Sequence, residues 1–295
     1  MIYLPKGVDS GKLLEVVKNI SWEVSIIFKS YTEKLKTPSE FKKKLNIKNL
    51  CSGPVTDADI EVSNFIKKRI YDTYPAVNWR FLSEEDIKND KSNSLDSNWI
   101  WIIDPLDGTK DFISGTGEYA MHLALTFKGI PILGLVLIPS KDELWIYLEG
   151  IGTWCESLKS NKQKYKEPNC KNINEIKILT SKSHFHAQLE FLLKGLRPLE
   201  VIGMGSVGYK VKSILRGEAD LYISYSLPGG SSPKDWDMAA PEALIRGAGG
   251  YFTDLNFKNL EFLKDDNYQQ GGIVIASMNK NHKNLCSKIL EILEQ

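Results

Sequence analysis

Trp99-Ile100-Trp101-Ile102-Ile103-Asp104-Pro105-Leu106-Asp107-Gly108-Thr109 passes from five consecutive apolar residues straight into two carboxylates. A short continuous apolar run of this kind reads as a buried strand, expected here over Trp99–Ile103. Pro105 fixes one backbone angle, and Gly108 permits a conformation closed to other residues. Between them the chain can turn tightly enough for Asp104, the Leu106 carbonyl and Asp107 to converge. Two carboxylates and a carbonyl in four residues are what a hard divalent cation takes as ligands, and Asp104 could bridge a pair of cations. Thr109, next in reach, offers a hydroxyl to position a water.

Two further acidic clusters lie where strands end or helices begin. Ser83-Glu84-Glu85-Asp86 follows the apolar Trp79–Leu82, and Asp235-Trp236-Asp237 opens a helical pattern. Each cluster alone has an ordinary explanation: a turn at Asp107-Gly108, a solvated run at Glu84–Asp86, a helix cap at Asp237. Together these explanations fail, because a strand as apolar as Trp99–Ile103 is buried and its end needs no acid for solubility.

Working outward, Lys12–Ser30 has a helical apolar stripe, and the lysine-rich Thr32–Pro54, with Lys42, Lys43 and Lys44, reads as a solvated loop. A second helix is expected over Asp57–Tyr74. Trp79–Phe81, Trp99–Ile103, Tyr119–Phe127, Pro131–Ile138 and Glu143–Leu148 read as the strands of an antiparallel sheet. Ser157–Asn174 reads as a linker. Beyond it strands Lys177–Thr180, Leu199–Ile202, Leu221–Ser224, Gly250–Thr253 and Ile273–Ser277 mix with helices Phe185–Lys194 (Gly195 placed to end it), Val207–Arg216, Trp236–Arg246 and Lys280–Leu293. The expected division is an N-terminal α+β region, 1–170, carrying the acidic turn, and a C-terminal α/β region, 171–295, completing the site.

The net charge of +1 provides no global field for nucleic acid or an anionic membrane, so neither is an expected partner. The start of the chain lacks a signal-peptide pattern, and the longest apolar run, Ile130–Ile138, is nine residues, too short to span a bilayer. A soluble cytoplasmic protein is expected. Cys51, Cys155, Cys170 and Cys286 form no CxxC pair and read as reduced thiols. His184 and His186 form an HxH with no second ligand cluster to make a zinc site.

Four stretches resemble the inositol monophosphatase superfamily, and within it the 3′(2′),5′-bisphosphate nucleotidases: Pro54–Asp59, Phe81–Asp86, Trp101–Phe112 and Trp236–Ala243, in family order. The resemblance implies a layered α/β/α/β/α sandwich in the α/β (α+β) class. It implies a phosphomonoester hydrolase using two or three Mg²⁺ ions, sensitive to lithium. Glu84, Asp104, the Leu106 carbonyl, Asp107 and Asp237 match the metal ligands. Asp59 and Thr109 match the water-activating pair, with Glu84 also among the catalytic groups. Leu106, Asp107, Gly108, Thr109 and Asp237 match positions against the substrate, a small phosphate ester. The Lys110-Asp111-Phe112 and Ser83–Asp86 forms look closer to nucleotidases, which implies adenosine 3′,5′-bisphosphate going to AMP and phosphate. Inositol monophosphate or a sugar bisphosphate is the alternative substrate, and a catalytically silent metabolite-binding protein is the alternative from another class. The oligomeric state stays open, a homodimer included.

Gly203-Met204-Gly205-Ser206-Val207-Gly208 fits G-x-G-x-x-G between a strand and a helix, yet Asp220 stands at the wrong end of the next strand for a dinucleotide site. It reads instead as a helix N-terminus whose amides can face a phosphate or ribose. By the nucleotidase resemblance Ser206 and Lys210 would approach the nucleotide, and Ser181–His184 would hold the base and second phosphate, His184 among them.

Overall fold

In this computed structural model, which describes residues 3–36, 48–50, 53–88, 96–158, 160–264 and 268–295, two helices lead into the first of two large sheets. Helix α1 (Ser10–Lys36) is followed by a hairpin of β1 (Lys48–Leu50) and β2 (Gly53–Val55), then α2 (Asp57–Thr73). A seven-stranded sheet then forms in chain order: β3 (Arg80–Ser83), β4 (Trp99–Asp107), β5 (Ala120–Phe127), β6 (Ile130–Ile138), β7 (Glu143–Leu148), β8 (Gly152–Ser157) and β9 (Ser160–Gln163). One-and-a-half-turn helices α3 (Glu84–Lys88) and α4 (Thr109–Ser114) leave the ends of β3 and β4.

The second sheet, of five strands, runs β11-β10-β12-β14-β13 in space, from β10 (Lys177–Ser181), β11 (Glu200–Met204), β12 (Leu221–Tyr225), β13 (Tyr251–Asp254) and β14 (Ile273–Ser277). With it go α5 (Ala187–Leu196), α6 (Val207–Arg216), α7 (Asp235–Gly247) and α8 (His282–Leu293).

Strand alternation sorts the apolar residues into three cores, and the cores define five layers. Along β4, Trp101 and Ile103 face the core shared with α1 and α2, where Val17, Ile20, Val62 and Ile66 are buried. Ile100 and Ile102 face the opposite core, with Val211 and Ile214 of α6, Ala240 and Leu244 of α7, and Leu179 and Tyr222 of the second sheet. Leu221 and Ile223, flanking Tyr222, enter a third core with Leu192 of α5 and Ile289 of α8. The order is therefore α/β/α/β/α, as expected, with α6 and α7 as the middle layer.

Several local expectations are corrected. The first sheet is not wholly antiparallel: β3 and β4 run parallel, Ser83 beside Ile103. β4 continues through Asp104 to Asp107 rather than stopping at Ile103. The expected linker Ser157–Asn174 contributes β9, the sheet's edge strand. Gly195 lies inside α5, which ends instead on Arg197 in the left-handed region (φ 50°). α1 extends six residues past Ser30, while Lys42–Lys44 lie outside the described residues.

His282, fully buried at the start of α8, ties that helix to the sheet. Thr253 Oγ1 gives its proton to the Asp254 carbonyl, so it accepts from His282 Nε2–H at 3.0 Å; Nδ1 then accepts from Ser277 Oγ at 2.7 Å. This is a neutral imidazole, and burial pushes its pKa from 6.5 down to about 4. The unfolded chain takes up this proton first, so the contribution is complete above about pH 6.5 and is lost as pH falls toward 4, by roughly 3 kcal/mol in all. Urea unfolding at pH 7.5 and 5 should show about 2 kcal/mol of that drop in wild type and a flatter one in His282→Gln. Equal drops in both proteins would locate the acid sensitivity elsewhere.

Candidate active site

The parallel β3–β4 pair decides where the acids meet. Because Ser83 sits beside Ile103 as the last pair of the ladder, Glu84 and Asp104 follow at one level and at the same edge. An antiparallel pair would have sent them to opposite edges. Past Ile103 the register against β5 slips: Asp104 faces His122, yet Asp107 faces Ala120, three residues against two. That one-residue bulge re-aims Asp107. Pro105 costs no ladder bond to β3, whose pairing has already ended. Gly108 holds φ +90°, and a Cβ there would lie 2.9 Å from the Glu118 carbonyl oxygen, so the turn into α4 demands glycine.

Asp237, in the first turn of α7, completes the convergence. Asp104, Asp107 and Asp237 each bring a carboxylate oxygen within 4.8 Å of the others. Glu84 stands outside this trio but lines the same cavity as Asp107 and Asp237. Leu106 presents its carbonyl to Thr109 Oγ1 at 3.1 Å. Asp235 is turned away, accepting from Leu263 N and Gln270 Nε2. Burial, then the charges of Asp107 and Glu84, push the Asp237 carboxyl up to about 7. Crowded, all-oxygen donors of this kind fit a hard divalent cation, which would relieve the repulsion.

Asp59 and Thr109 are brought together across fifty positions of sequence, Thr109 Oγ1 lying 3.4 Å from Asp59 Oδ1. The helix-cap role is not delegated to Thr56 alone. Asp59 Oδ2 accepts both Thr56 N–H at 2.8 Å and Thr56 Oγ1–H at 2.6 Å, closing a capping box at the start of α2. One carboxylate thus caps the helix with one oxygen and faces Thr109 with the other. Burial pushes it up to about 7 against those hydrogen bonds.

The glycine-rich loop before α6 does face an anion, but the anion is Asp107. Ser206, the N-cap, donates Oγ–H to Asp107 Oδ2 at 2.6 Å and accepts Tyr209 N–H at 3.0 Å. Gly208 N–H reaches the same Oδ2 at 3.1 Å, and His122 Nε2 stands 3.2 Å from it. A side chain at 208 would collide with His122, its Cβ only 2.3 Å from Nε2. Burial raises the Asp107 pKa, but His122, Lys210 and Ser206 outweigh it and hold the carboxyl below its ordinary range. Ser206 is fully buried and committed to Asp107 rather than presented to a ligand. His122 was not legible as a site residue: it is the one ionisable residue in a largely apolar strand, and tertiary contact is what brings it beside Asp107.

Ser181, His184 and Lys210 line the same cavity. His184 Nδ1 lies 3.1 Å from Ser181 Oγ; burial, then Lys110 and Lys210, push its pKa down. Lys210 is buried, donates Nζ to the carbonyls of Gly205 (2.6 Å) and Ser206 (3.2 Å), and lies 5.1 Å over the Tyr222 ring. Burial lowers its pKa to about 8 despite the surrounding carboxylates.

A profile of the inositol monophosphatase family matches residues 12–294. The chain belongs to that family. Similar curated proteins include the 3′(2′),5′-bisphosphate nucleotidase CysQ of Escherichia coli K12, 30% identical over 76% of this chain and 86% of the relative, and that of Buchnera aphidicola, 30% identical over 71% and 74%. Among solved structures, the extragenic suppressor protein suhB of Bartonella henselae superposes with a TM-score of 0.74 at 22% identity, covering 96% of this chain and 99% of that one. A staphylococcal IMPase-I gives 0.73 at 19% identity over 96% of each. These likenesses bear out the fold. As an inositol monophosphatase family member the chain is a hydrolase of phosphate monoesters, and the family is metal-dependent. No helix among the described residues is long and apolar enough to cross a membrane.

Proposed function

We propose that the chain is a Mg²⁺-dependent 3′(2′),5′-bisphosphate nucleotidase, releasing phosphate from adenosine 3′,5′-bisphosphate to leave AMP. The observation that carries this reading is a single cavity of about 450 Å³ lined both by the carboxylates Glu84, Asp107 and Asp237 and by Ser181, His184 and the buried cation Lys210. A substrate with one phosphate for a cation held by the carboxylates and a second anionic group for the cationic lining matches that mixture, and inositol monophosphate lacks the second group. The naming of relatives at about 30% identity supports the same choice.

In this reading Asp104, Asp107, Asp237, the Leu106 carbonyl and Glu84 would hold Mg²⁺, which when bound neutralises charge on the phosphoryl group in transfer. The chain's own groups do the rest. Thr109 Oγ1 has one proton and two acceptors in reach, Asp59 Oδ1 and the Leu106 carbonyl. With its proton directed to Asp59, Oγ1 orients an attacking water by accepting its hydrogen bond, and as the water gives up that proton to Oγ1 the Thr109 proton passes to Asp59 Oδ1. Ser206, Gly208 and His122 fix the Asp107 carboxylate from behind, so it need not reorganise during the reaction.

Phosphate release with Mg²⁺, measured on adenosine 3′,5′-bisphosphate and on inositol 1-phosphate, tests the substrate. The nucleotide should be preferred, with Li⁺ inhibiting at concentrations where Na⁺ does not. Lys210→Ala should cost kcat/KM on the nucleotide about 10-fold more than on inositol phosphate, the scale of one charge-assisted contact. Preference for inositol phosphate would overturn the nucleotide reading. An equal loss on both substrates would leave Lys210 with only its hold on the Gly205 and Ser206 carbonyls.

A further inference from the structure

The polar groups behind Asp107 are themselves held by one residue that neither the sequence motifs nor the proposed mechanism employs. Glu118 lies in the connection between α4 and β5. Its side-chain Oε2 accepts Gly205 N–H at 3.2 Å, and its backbone carbonyl accepts Ser206 N–H at 3.3 Å. Lys210 Nζ holds the two carbonyls of the same dipeptide. Every backbone polar group of Gly205-Ser206 is thus gripped, the amides by Glu118 and the carbonyls by Lys210. The Glu118 carbonyl is also the group that Gly108 approaches, so one residue abuts both the acidic turn and the α6 loop. Lys182 Nζ donates to the same Oε2 at 2.6 Å and lies 3.5 Å from Asp111 Oδ1. It offsets the charge that Glu118 would otherwise add beside the acidic trio.

We infer that Glu118 is a positioning residue: it sets the Gly205-Ser206 dipeptide so that Ser206 Oγ and Gly208 N–H keep Asp107 in its ligating orientation. The inference rests on Asp107 being a ligand of the catalytic cation, whatever ester is hydrolysed. What Glu118 supplies is an acceptor oxygen at a particular distance, and its charge is answered by Lys182. Glutamine keeps that oxygen; aspartate keeps the charge but falls one methylene short of Gly205 N–H.

The test pairs Glu118→Gln with Glu118→Asp in the full chain. Mg²⁺ affinity is read from the Mg²⁺-dependent rise in melting temperature, and kcat and KM on the phosphate monoester that wild type turns over fastest. Glu118→Gln should stay within about 3-fold of wild type in every measure. Glu118→Asp should lose roughly 10-fold in Mg²⁺ affinity and in kcat with KM nearly unchanged, the scale of removing a supporting hydrogen bond behind a metal ligand. A wild-type Glu118→Asp, or a Glu118→Gln as impaired as Glu118→Asp, overturns the inference, as does a lowered melting temperature with unaltered Mg²⁺ affinity. Asp107→Asn is run alongside. If it is inactive while Glu118→Asp is unimpaired, only the positioning role falls; if it keeps activity and the Mg²⁺ shift, the metal assignment falls too.

Discussion

Asp107→Asn and Asp237→Asn should each lower kcat by roughly 10³-fold at low millimolar Mg²⁺, because each converts an anionic ligand to a neutral one and forfeits several kcal/mol of charge stabilisation. Both replacements are isosteric, and their second-sphere partners survive. An asparagine carbonyl at 107 can still accept from Ser206 Oγ and Gly208 N, and one at 237 can still accept from Lys234 N, now 2.5 Å from Asp237 Oδ2. Folding should therefore be kept. At position 237 the metal-free protein should melt no lower than wild type, because burial, then the charges of Asp107 and Glu84, push this carboxyl up to about 7, and a neutral side chain escapes both costs. The Mg²⁺-induced rise in melting temperature should shrink in both variants. Near wild-type turnover in either would remove that residue from the ligand set.

The second large effect is expected at Asp59. Asp59→Asn should reduce kcat about 10²-fold or more, the scale of general-base assistance, with KM and the Mg²⁺ dependence close to wild type. The physical reason is the direction of one hydrogen bond. Aspartate Oδ1 accepts from Thr109 Oγ1, whereas an asparagine amide placed there donates, and so ties up the lone pair that should take the water's proton. The capping box at Thr56 can persist, since the asparagine carbonyl still accepts Thr56 N–H. Stability should change little, because Asp59 is fully buried and held near a pKa of 7. Full activity with a lowered melting point would leave Asp59 only its cap.

The sequence made the three acidic clusters legible because they sit beside abrupt changes of character. Asp104 follows five apolar residues, Glu84 follows a strand, and Asp237 opens a helix. The five-layer order was legible through resemblance and through the shift from strand runs to strand–helix alternation. What could not be read were quantities that depend on register. That β3 and β4 run parallel is invisible in either strand alone, because a strand's own apolar pattern reads the same in both directions and says nothing of its partner's. The bulge at Asp104–Asp107 hides behind a proline that reads equally well as the start of a turn. His122 and Glu118 acquire their roles from tertiary contact around that bulge, so local pattern singled out neither for the site. The G-x-G-x-x-G loop shows the converse. The pattern led to amides that face a phosphate or ribose, whereas the group the Gly208 amide meets is the Asp107 carboxylate, a partner that only tertiary contact supplies.

Helix α6 and its N-cap carry Ser206 and Gly208 behind Asp107 and, in the same turn, Lys210 in the lining of the cavity. In the proposed reading one short segment therefore serves both the metal-holding carboxylate and substrate recognition. In a lineage that changes its substrate, these two tasks cannot be traded separately by exchanging segments. A transplanted α6 that brought a new recognition wall would also bring a new backing for the catalytic carboxylate. New specificities are accordingly expected to arise by single replacements on β10, β12 and the His184 segment, which line the cavity without touching Asp107, with α6 inherited whole.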